Sequence, residues 1–192
     1  MGSPIAGCQL QSPRLTLRLL DMGDAEDFAD YLAQNRHFHS PWDIDHNDEY
    51  FQPMYWASLL AENVFLYQEK RSARIGFFLN NHLIGMCHIA QVLVEPIHQA
   101  EIGYHIDHRY TQQGLMFEAL SALIPWTFDY FKLERLVALV IPKNQPSKCL
   151  LEKLGFVKEG CLREYLTMRE RRVDHLLFTL LRRELDQHGH FS

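Results

Sequence analysis

The sequence predicts a mixed α/β (α+β) fold in which helices flank a central, mixed but mostly antiparallel sheet of about seven strands. Three observations support this fold class. Residues 14–20 (RLTLRLL) alternate apolar and polar side chains, as a half-buried strand does. Residues 73–106 contain three β-rich runs joined by short turns, which is typical of an antiparallel meander. Residues 114–131 repeat apolar side chains at helical spacing, so a long helix follows the meander.

The predicted order of elements is βααβββαβαββ. Asn80 and Asn81 supply the first turn of the meander. Pro142 ends the strand at 136–141, and Gly155 ends the last helix. Pro125 is expected to bend the long helix. The elements are a strand at 14–20, helices at 25–35 and 48–67, strands at 73–79, 82–94 and 100–106, a helix at 114–131, a strand at 136–141, a helix at 147–154, and strands at 162–168 and 174–181.

The chain is expected to form one domain. Its 192 residues are 47% hydrophobic, which is enough to bury one sizeable core. We assign residues 1–13 to a loosely held N-terminal arm, residues 14–185 to the domain, and residues 186–192 to a solvated C-terminal tail. His188 and His190 fall in that tail and receive no role.

Charge and apolar patterning exclude several classes of function. The formal net charge of −5 leaves no broad basic field for nucleic acid, and a basic peptide would suit the surface better. No apolar run approaches the roughly 20 residues that span a bilayer, and the N-terminus has no signal-peptide pattern. We therefore expect a cytoplasmic protein with reduced thiols, because no two cysteines are close in sequence: Cys8, Cys87, Cys149 and Cys161.

The eleven histidines do not form a recognisable metal motif. His37 and His39 are two residues apart, and His105 and His108 are three apart. No nearby cysteine or acidic pair completes either pair as a ligand set, so no metal is expected.

A single glycine marks the start of the long helix. Gly114 lies in RYTQQGLMFEAL, a polar entry to an apolar helix. A helix N-terminus carries unpaired N–H groups and the positive end of the helix dipole, so this entry is suited to bind an anion. An ordinary loop is the alternative, because one glycine at a helix start is common.

Several motifs in this order resemble those of the GNAT family of N-acetyltransferases. The family's phosphate motif, Q/R-x-x-G-x-G/A, aligns with residues 111–116 and retains only its central glycine, Gly114. Further segments resemble the ribosomal-protein alanine N-acetyltransferases of that family: NRHF followed by PW, GLMFEAL, N-x-x-S, and LLxxLGFxxEG. The resemblance spans roughly residues 14–181.

The resemblance implies a GNAT fold and acetyl-CoA as the acetyl donor, with no metal. Amides at the helix start would bind the pyrophosphate, and the strand at 103–106 would pair with the pantetheine arm as an added strand does. An ordinary sheet strand is the alternative for that segment. The implied donor-binding residues are Tyr104, His105, Ile106, Thr111, Gln112, Gln113, Gly114, Leu115, Met116, Asn144 and Ser147.

The resemblance also implies direct attack of the amine on the thioester. Ser147 is the candidate to stabilise the departing thiolate, although a serine at this position could instead cap a helix. Glu101 is the candidate base, with pairing to a surface lysine as its alternative role and Glu164 and Tyr165 as rivals. Cys149 lacks a histidine–acid pair and is not expected to be a nucleophile.

The acceptor is expected to contact the segment between the first two predicted helices through Arg36, His37, Phe38 and Trp42. The resemblance implies transfer to the N-terminal α-amine, with alanine first, of a small-subunit ribosomal protein. The sequence leaves the oligomeric state open, with a homodimer as one alternative. Neither nucleic acid nor a membrane is an expected partner. Two alternatives remain: acetylation of a small amine such as an antibiotic or polyamine, and a non-catalytic CoA-binding protein of ribosome assembly.

Overall fold

The computed structural model describes residues 8–187, which form eight strands, four α-helices and four short 3-10 turns. The strands and α-helices are, in chain order, β1 (Gln9–Gln11), β2 (Thr16–Leu19), α1 (Ala25–His39), α2 (Pro53–Gln68), β3 (Ala73–Leu79), β4 (His82–Leu93), β5 (Gln99–Ile106), α3 (Leu115–Phe131), β6 (Arg135–Val140), α4 (Gln145–Lys153), β7 (Val157–Met168) and β8 (Arg171–Leu181).

The eight strands form one sheet in the order β1-β2-β3-β4-β5-β6-β8-β7. Every neighbouring pair is antiparallel except β5 and β6, which are parallel. The parallel pair needs a long crossover, and α3 supplies it, since α3 separates these two strands in sequence. The predicted fold class and the predicted order of elements after residue 14 are confirmed.

The N-terminal segment differs from the prediction. Gln9–Gln11 forms an additional edge strand paired with β2, and Cys8 is buried. The part of the predicted arm from residue 8 onward is therefore joined to the sheet, and the strand count is eight rather than seven. Residues 1–7 and 188–192 lie outside the described residues, and so do the tail histidines His188 and His190.

Two apolar layers cover the two faces of the sheet. On one face α3 buries the side chains expected on its inner surface, among them Leu120, Leu123 and Phe128. On the other face α1 and α2 pack Phe28, Trp56 and neighbouring side chains against the sheet. Helix α3 continues through Pro125 to Phe131, so the proline does not end it. Side chains that alternate along one strand therefore face different helices.

Several boundaries differ from the predicted ones. Helix α1 extends to His39, so residues 35–38 form its last turn and not the connecting loop. Helix α2 starts at Pro53, after a 3-10 turn at Asp48–Phe51. Proline clashes with a helical residue directly before it, but proline itself suits the first position of a helix, so the helix begins at the proline. Strands β7 and β8 pair along almost their whole lengths and are longer than predicted.

Three further properties of the described residues bear on function. The four cysteines are unpaired; Cys8 and Cys87 are buried, and Cys149 and Cys161 are exposed. Within residues 8–187, no group of three or more His, Cys, Asp or Glu side chains could hold a metal ion. No helix in that range is long and apolar enough to cross a bilayer.

A glycine lets β4 and β5 approach closely where β5 ends. Gly85 pairs with Ile106, and a Cβ atom added at Gly85 would lie 2.7 Å from the main-chain carbonyl oxygen of His105. A side chain at Gly85 would therefore displace the end of β5. At Gly103, on the same strand pair, an added Cβ would meet no atom within 4 Å.

We therefore predict that Gly85→Ala lowers the free energy of unfolding by about 1–3 kcal/mol, as forced overpacking does. Urea unfolding followed by circular dichroism measures the change. Gly103→Ala is the matched control and should leave the unfolding midpoint unchanged. Equal midpoints for the wild type and Gly85→Ala would show that β5 does not depend on this close approach.

Candidate active site

The two parallel strands at the centre of the sheet separate after three residue pairs. Strands β5 and β6 pair at Gln99–Arg135, Ala100–Leu136 and Glu101–Val137 and no further. Strand β5 continues to Ile106 against β4, and β6 continues to Val140 against β8. From Ile102 onward β5 therefore presents a free edge to the gap. A free strand edge can hydrogen-bond an extended chain of amides.

Two hydroxyl groups meet across this gap. Tyr104 lies on β5, and its Oη atom is 2.9 Å from Oγ of Ser147, the third residue of α4. Burial raises the pKa of Tyr104, and the hydrogen bond to Ser147 opposes that rise, so the phenol stays protonated at neutral pH. The pair joins the free edge of β5 to the helix that follows β6.

The helix-capping role considered for Ser147 belongs to a different residue. Asn144 is the N-cap of α4, and its side-chain oxygen accepts a hydrogen bond from the Ser147 amide at 3.2 Å. The Ser147 hydroxyl is therefore not occupied by capping. It remains a candidate for stabilising a thiolate in the gap.

The turn before α3 has the geometry of an anion-binding loop. Gln112 and Gly114 adopt left-handed backbone conformations, with φ of 60° and 76°. Across residues 8–187, no hydrogen bond uses the amide N–H groups of residues 112–116. These amides lie at the positive end of the dipole of a 17-residue helix. The turn thus offers a cluster of unpaired donors to an anion.

The side chains of this loop mainly hold its shape. Thr111 Oγ1 donates to the carbonyl oxygen of His108 at 2.9 Å, and Gln113 Nε2 donates to that of Arg109 at 3.0 Å. Leu115 and Met116 bury their side chains in the core, so only their amides could reach a ligand. The weak match of the side chains to the family motif is therefore compatible with an intact backbone cradle.

An ion pair between a buried carboxylate and a half-exposed guanidinium fixes the turn before the loop. The Asp107 carboxylate, 1% exposed, accepts three hydrogen bonds from the Arg109 guanidinium, at 2.6 and 3.1 Å to one oxygen and at 3.0 Å to the other, and one from the Arg109 amide at 2.8 Å. Burial opposes ionisation of Asp107, but these bonds outweigh it and lower its pKa to about 2. Asp107 is therefore ionised throughout the neutral range and holds the start of the loop in place.

His105 faces the opposite side of the sheet from Tyr104. Its Nδ1 atom lies 2.6 Å from the Tyr31 hydroxyl of α1, and its ring centroid lies 5.0 Å from that of His39. Burial lowers the pKa of His105 to about 3, so the imidazole is neutral. Of the residues predicted to bind the pantetheine arm, His105 could therefore contribute its backbone but not its side chain.

Glu101 lies on the same face of β5 as His105, because the two are four residues apart on one strand. Its side chain is half-buried, and burial raises its pKa. In the described part of the chain Glu101 forms no salt bridge, so the alternative of a structural lysine partner is not observed. The rivals Glu164 and Tyr165 lie on β7, and Tyr165 packs its ring edge against His175.

The predicted acceptor residues cluster at the end of α1. Arg36 is already engaged, since it donates to Asp48 at 2.8 Å and lies over the Phe51 ring. Phe38 and Trp42 are large, partly exposed aromatic residues with 42% and 39% of their surface accessible. His37 is exposed as well. Arg36 borders a cavity of about 100 Å³, which is also lined by Leu32, His39, Ser40, Asp43, Ile44, Asp45, His46, Tyr50 and Phe51.

Two long-range contacts that the sequence did not reveal enclose this region. His39 Nε2 donates to the carbonyl oxygen of Ile106 at 2.9 Å, which ties the end of α1 to the free end of β5. Arg169, at the tip of the β7–β8 hairpin, donates to the carbonyl oxygen of Ser40 at 2.7 Å and reaches Asp45. The end of α1 is therefore held on one side to β5 and on the other to the β7–β8 hairpin, whose strand β8 pairs with β6.

Comparison with known proteins assigns this arrangement to a family. The family described as acetyltransferase (GNAT) domain matches residues 14–157. The chain belongs to the GNAT acetyltransferase family. A [ribosomal protein uS5]-alanine N-acetyltransferase of Escherichia coli K12 is 32% identical over 180 residues, which are 93% of this chain and 93% of that protein.

Solved structures of GNAT proteins have the same architecture. The ribosomal-protein-S5-alanine acetyltransferase of Vibrio fischeri superposes with a TM-score of 0.87 at 29% identity and covers 91% of this chain and 96% of its own. Mycobacterium smegmatis RimJ, in complex with CoA-disulfide, has a TM-score of 0.86 at 26% identity and covers 96% of this chain and 90% of its own.

The GNAT chain is thus an acetyl-CoA-dependent N-acetyltransferase, and its residues suit that donor. Acetyl-CoA supplies the thioester that carries the acetyl group. The unpaired amides of residues 112–116 suit the diphosphate, the free edge of β5 suits the amide-rich arm, and the hydroxyl pair of Tyr104 and Ser147 suits the sulfur end.

The turn at residues 112–116, which we call the phosphate loop, yields a prediction about Gly114. Gly114→Arg should weaken acetyl-CoA binding at least tenfold, because the side chain would crowd the cradle from a left-handed residue. Isothermal titration calorimetry measures the affinity. Gly155→Arg is the matched control, since Gly155 is also left-handed (φ 87°) but follows α4. If both folded variants bound acetyl-CoA equally, the Gly114 backbone would not contact the phosphates.

The hydroxyl pair yields a prediction about Ser147. Ser147→Ala should lower kcat by about tenfold to a thousandfold, the range for lost general-acid help, and leave the KM for acetyl-CoA within about threefold. Cys149→Ala removes an exposed side chain from the same helix and should not change kcat. An unaltered kcat for a folded Ser147→Ala enzyme would reduce Ser147 to a structural partner of Tyr104.

Proposed function

We propose that this N-acetyltransferase transfers the acetyl group to the N-terminal α-amine of a ribosomal protein, with alanine as the first residue. The names of the relatives from E. coli and V. fischeri support this acceptor. The observation that carries the proposal is that the exposed rings of Phe38 and Trp42 lie at the end of α1, which the His39–Ile106 and Arg169–Ser40 contacts hold to β5 and to the β7–β8 hairpin. An acceptor chain end bound at those rings would lie on the helix end that is tied to β5.

The reaction requires three events at the gap between β5 and β6. The acceptor ammonium loses a proton to Glu101, directly or through water, because a carboxylate with a raised pKa holds a proton better than an ordinary one. The neutral amine then attacks the thioester carbonyl, an N–C bond forms and the C–S bond breaks. The Ser147 hydroxyl donates its hydrogen to the departing sulfur, and the proton that the nitrogen loses as the amide forms returns to the hydroxyl pair of Ser147 and Tyr104.

The protonation of amines favours a chain terminus over a lysine. An α-amine has a pKa of about 7.7–8.0 and lysine one of about 10.4, so near neutral pH the α-amine is far more often neutral. Glu101 lies half-buried without a cationic partner in the described part of the chain, and it is a modest base. A modest base is sufficient for an α-amine.

The acceptor surface is compatible with a basic peptide. Asp43, Asp45 and Asp48 lie on the connection between α1 and α2, which contains Trp42 and follows the last turn of α1 with Phe38. Asp45 contacts Arg169 and Asp48 contacts Arg36, both across exposed surfaces, where ion pairs contribute little to stability. We place this reaction in the cytoplasm, where ribosomal proteins are made.

We predict that a peptide from the N-terminus of ribosomal protein uS5, beginning with free alanine, is acetylated once and at its α-amine. Mass spectrometry with fragmentation locates the acetyl group. Blocking that amine should abolish turnover even when the peptide contains lysines. Acetylation on lysine, or faster turnover of a polyamine, would overturn the acceptor and leave the acetyltransferase assignment intact.

Substitutions on the acceptor side should change the KM for the peptide without changing the affinity for acetyl-CoA. Trp42→Ala should raise the KM for the peptide about tenfold, as truncation of an aromatic contact does, and Arg36→Ala should raise it by releasing the connection from Asp48. Neither should change acetyl-CoA affinity. Phe65→Ala, a truncation of another exposed aromatic residue on α2, is the matched control and should leave both constants unchanged. An unchanged peptide KM in Trp42→Ala would remove Trp42 from the acceptor site.

A further inference from the structure

A carboxylate lies one turn inside the helix that begins at the phosphate loop. Glu118 is in the first turn of α3, and its side chain is only 13% exposed. Burial opposes its ionisation, but hydrogen bonds from Ser12 and Arg14 outweigh this effect and lower its pKa. Glu118 is therefore negatively charged at neutral pH, close to a site that must bind the diphosphate of the donor. Uncompensated, this charge would repel the ligand.

Arg14 compensates the charge of Glu118. The Arg14 Nε atom lies 2.6 Å from one carboxylate oxygen, and its amide lies 2.7 Å from the other, which also accepts from Ser12 Oγ at 2.7 Å. These contacts join the residues before β2 to α3 across more than a hundred residues of sequence. The Arg14 guanidinium thus neutralises the Glu118 carboxylate, and the same carboxylate holds the Arg14 backbone through its amide.

The same guanidinium reaches the phosphate loop. Arg14 Nη1 donates to the carbonyl oxygen of Gln113 at 3.1 Å. Arg14 Nη2 lies 3.7 Å from the position that a Cβ atom on Gly114 would occupy, and it has no acceptor among residues 8–187. A carbonyl oxygen bound to Arg14 is held away from an incoming anion, and the loop amides stay available to it.

We propose that Arg14 is a positioning residue for the diphosphate of the acetyl donor. It cancels the charge of Glu118 and fixes the Gln113 carbonyl, so that the unpaired amides of residues 112–116 present a net positive surface to the anion. The proposal concerns the donor alone, so it does not depend on the identity of the acceptor.

The test is calorimetric titration of the full-length protein with coenzyme A in the absence of any acceptor. Arg14→Gln should weaken coenzyme A binding about tenfold, the effect of one unit charge at a partly exposed site. Glu118→Gln should bind coenzyme A at least as tightly as the wild type. The double variant Arg14→Gln with Glu118→Gln should recover to within about threefold of the wild type, because no charge is left to cancel.

Two additional measurements separate this role from a purely structural one. Coenzyme A without its 3′-phosphate should show the same tenfold loss in Arg14→Gln, since the diphosphate carries the effect. Arg14→Lys keeps the charge, so it should lose no more than about threefold and should fold even if Arg14→Gln does not. Thermal unfolding of each variant establishes that the folded protein is titrated.

The outcomes either support or overturn the proposal. Recovery in the double variant supports the charge role. Unchanged affinity in Arg14→Gln, or a double variant as weak as Arg14→Gln, would show that Arg14 does not act through Glu118. A loss that disappears without the 3′-phosphate would assign Arg14 to that phosphate instead and overturn the positioning role. Failure of the peptide to be acetylated would leave these results unaffected.

Discussion

The site depends on the short parallel pairing between β5 and β6. The two strands share only three residue pairs, yet each is held along its outer edge, β5 by β4 and β6 by β8. The gap between them is therefore a fixed feature of the sheet and does not require a moving loop. The hydroxyl pair of Tyr104 and Ser147, the phosphate loop and the free strand edge are all placed relative to this gap.

Alternation along β5 places the candidate donor-side and acceptor-side residues on opposite faces of one strand. Tyr104 faces the α3 side together with Ser147, whereas Glu101 and His105 face the α1 side. On the proposed site assignment, the donor and the acceptor meet at β5 from two sides, and this strand of eight residues orients both.

Local patterns in the sequence predicted the order of the elements, the loop at Gly114 and the end of α4 at Gly155, because each depends on neighbouring residues. The extension of α1 to His39 was missed since a polar helix end before Ser40 and Pro41 looks like a loop. The contacts of Arg14 and Arg169 could not be predicted, since each joins segments about a hundred or more residues apart. The assignments of Glu101 and Ser147 to catalysis remain predictions.

Substitutions at the tip of the β7–β8 hairpin and substitutions near the phosphate loop are expected to have different effects. Its tip carries Arg169, which contacts Ser40 and Asp45, and the residues around the tip lie outside both apolar layers and, apart from the buried Met168, are exposed. Substitutions there carry little risk of unfolding, whereas substitutions around Glu118 or Gly114 affect the donor loop. On the proposed acceptor site, a preference for a different acceptor can be acquired at the hairpin tip while the donor loop stays unchanged.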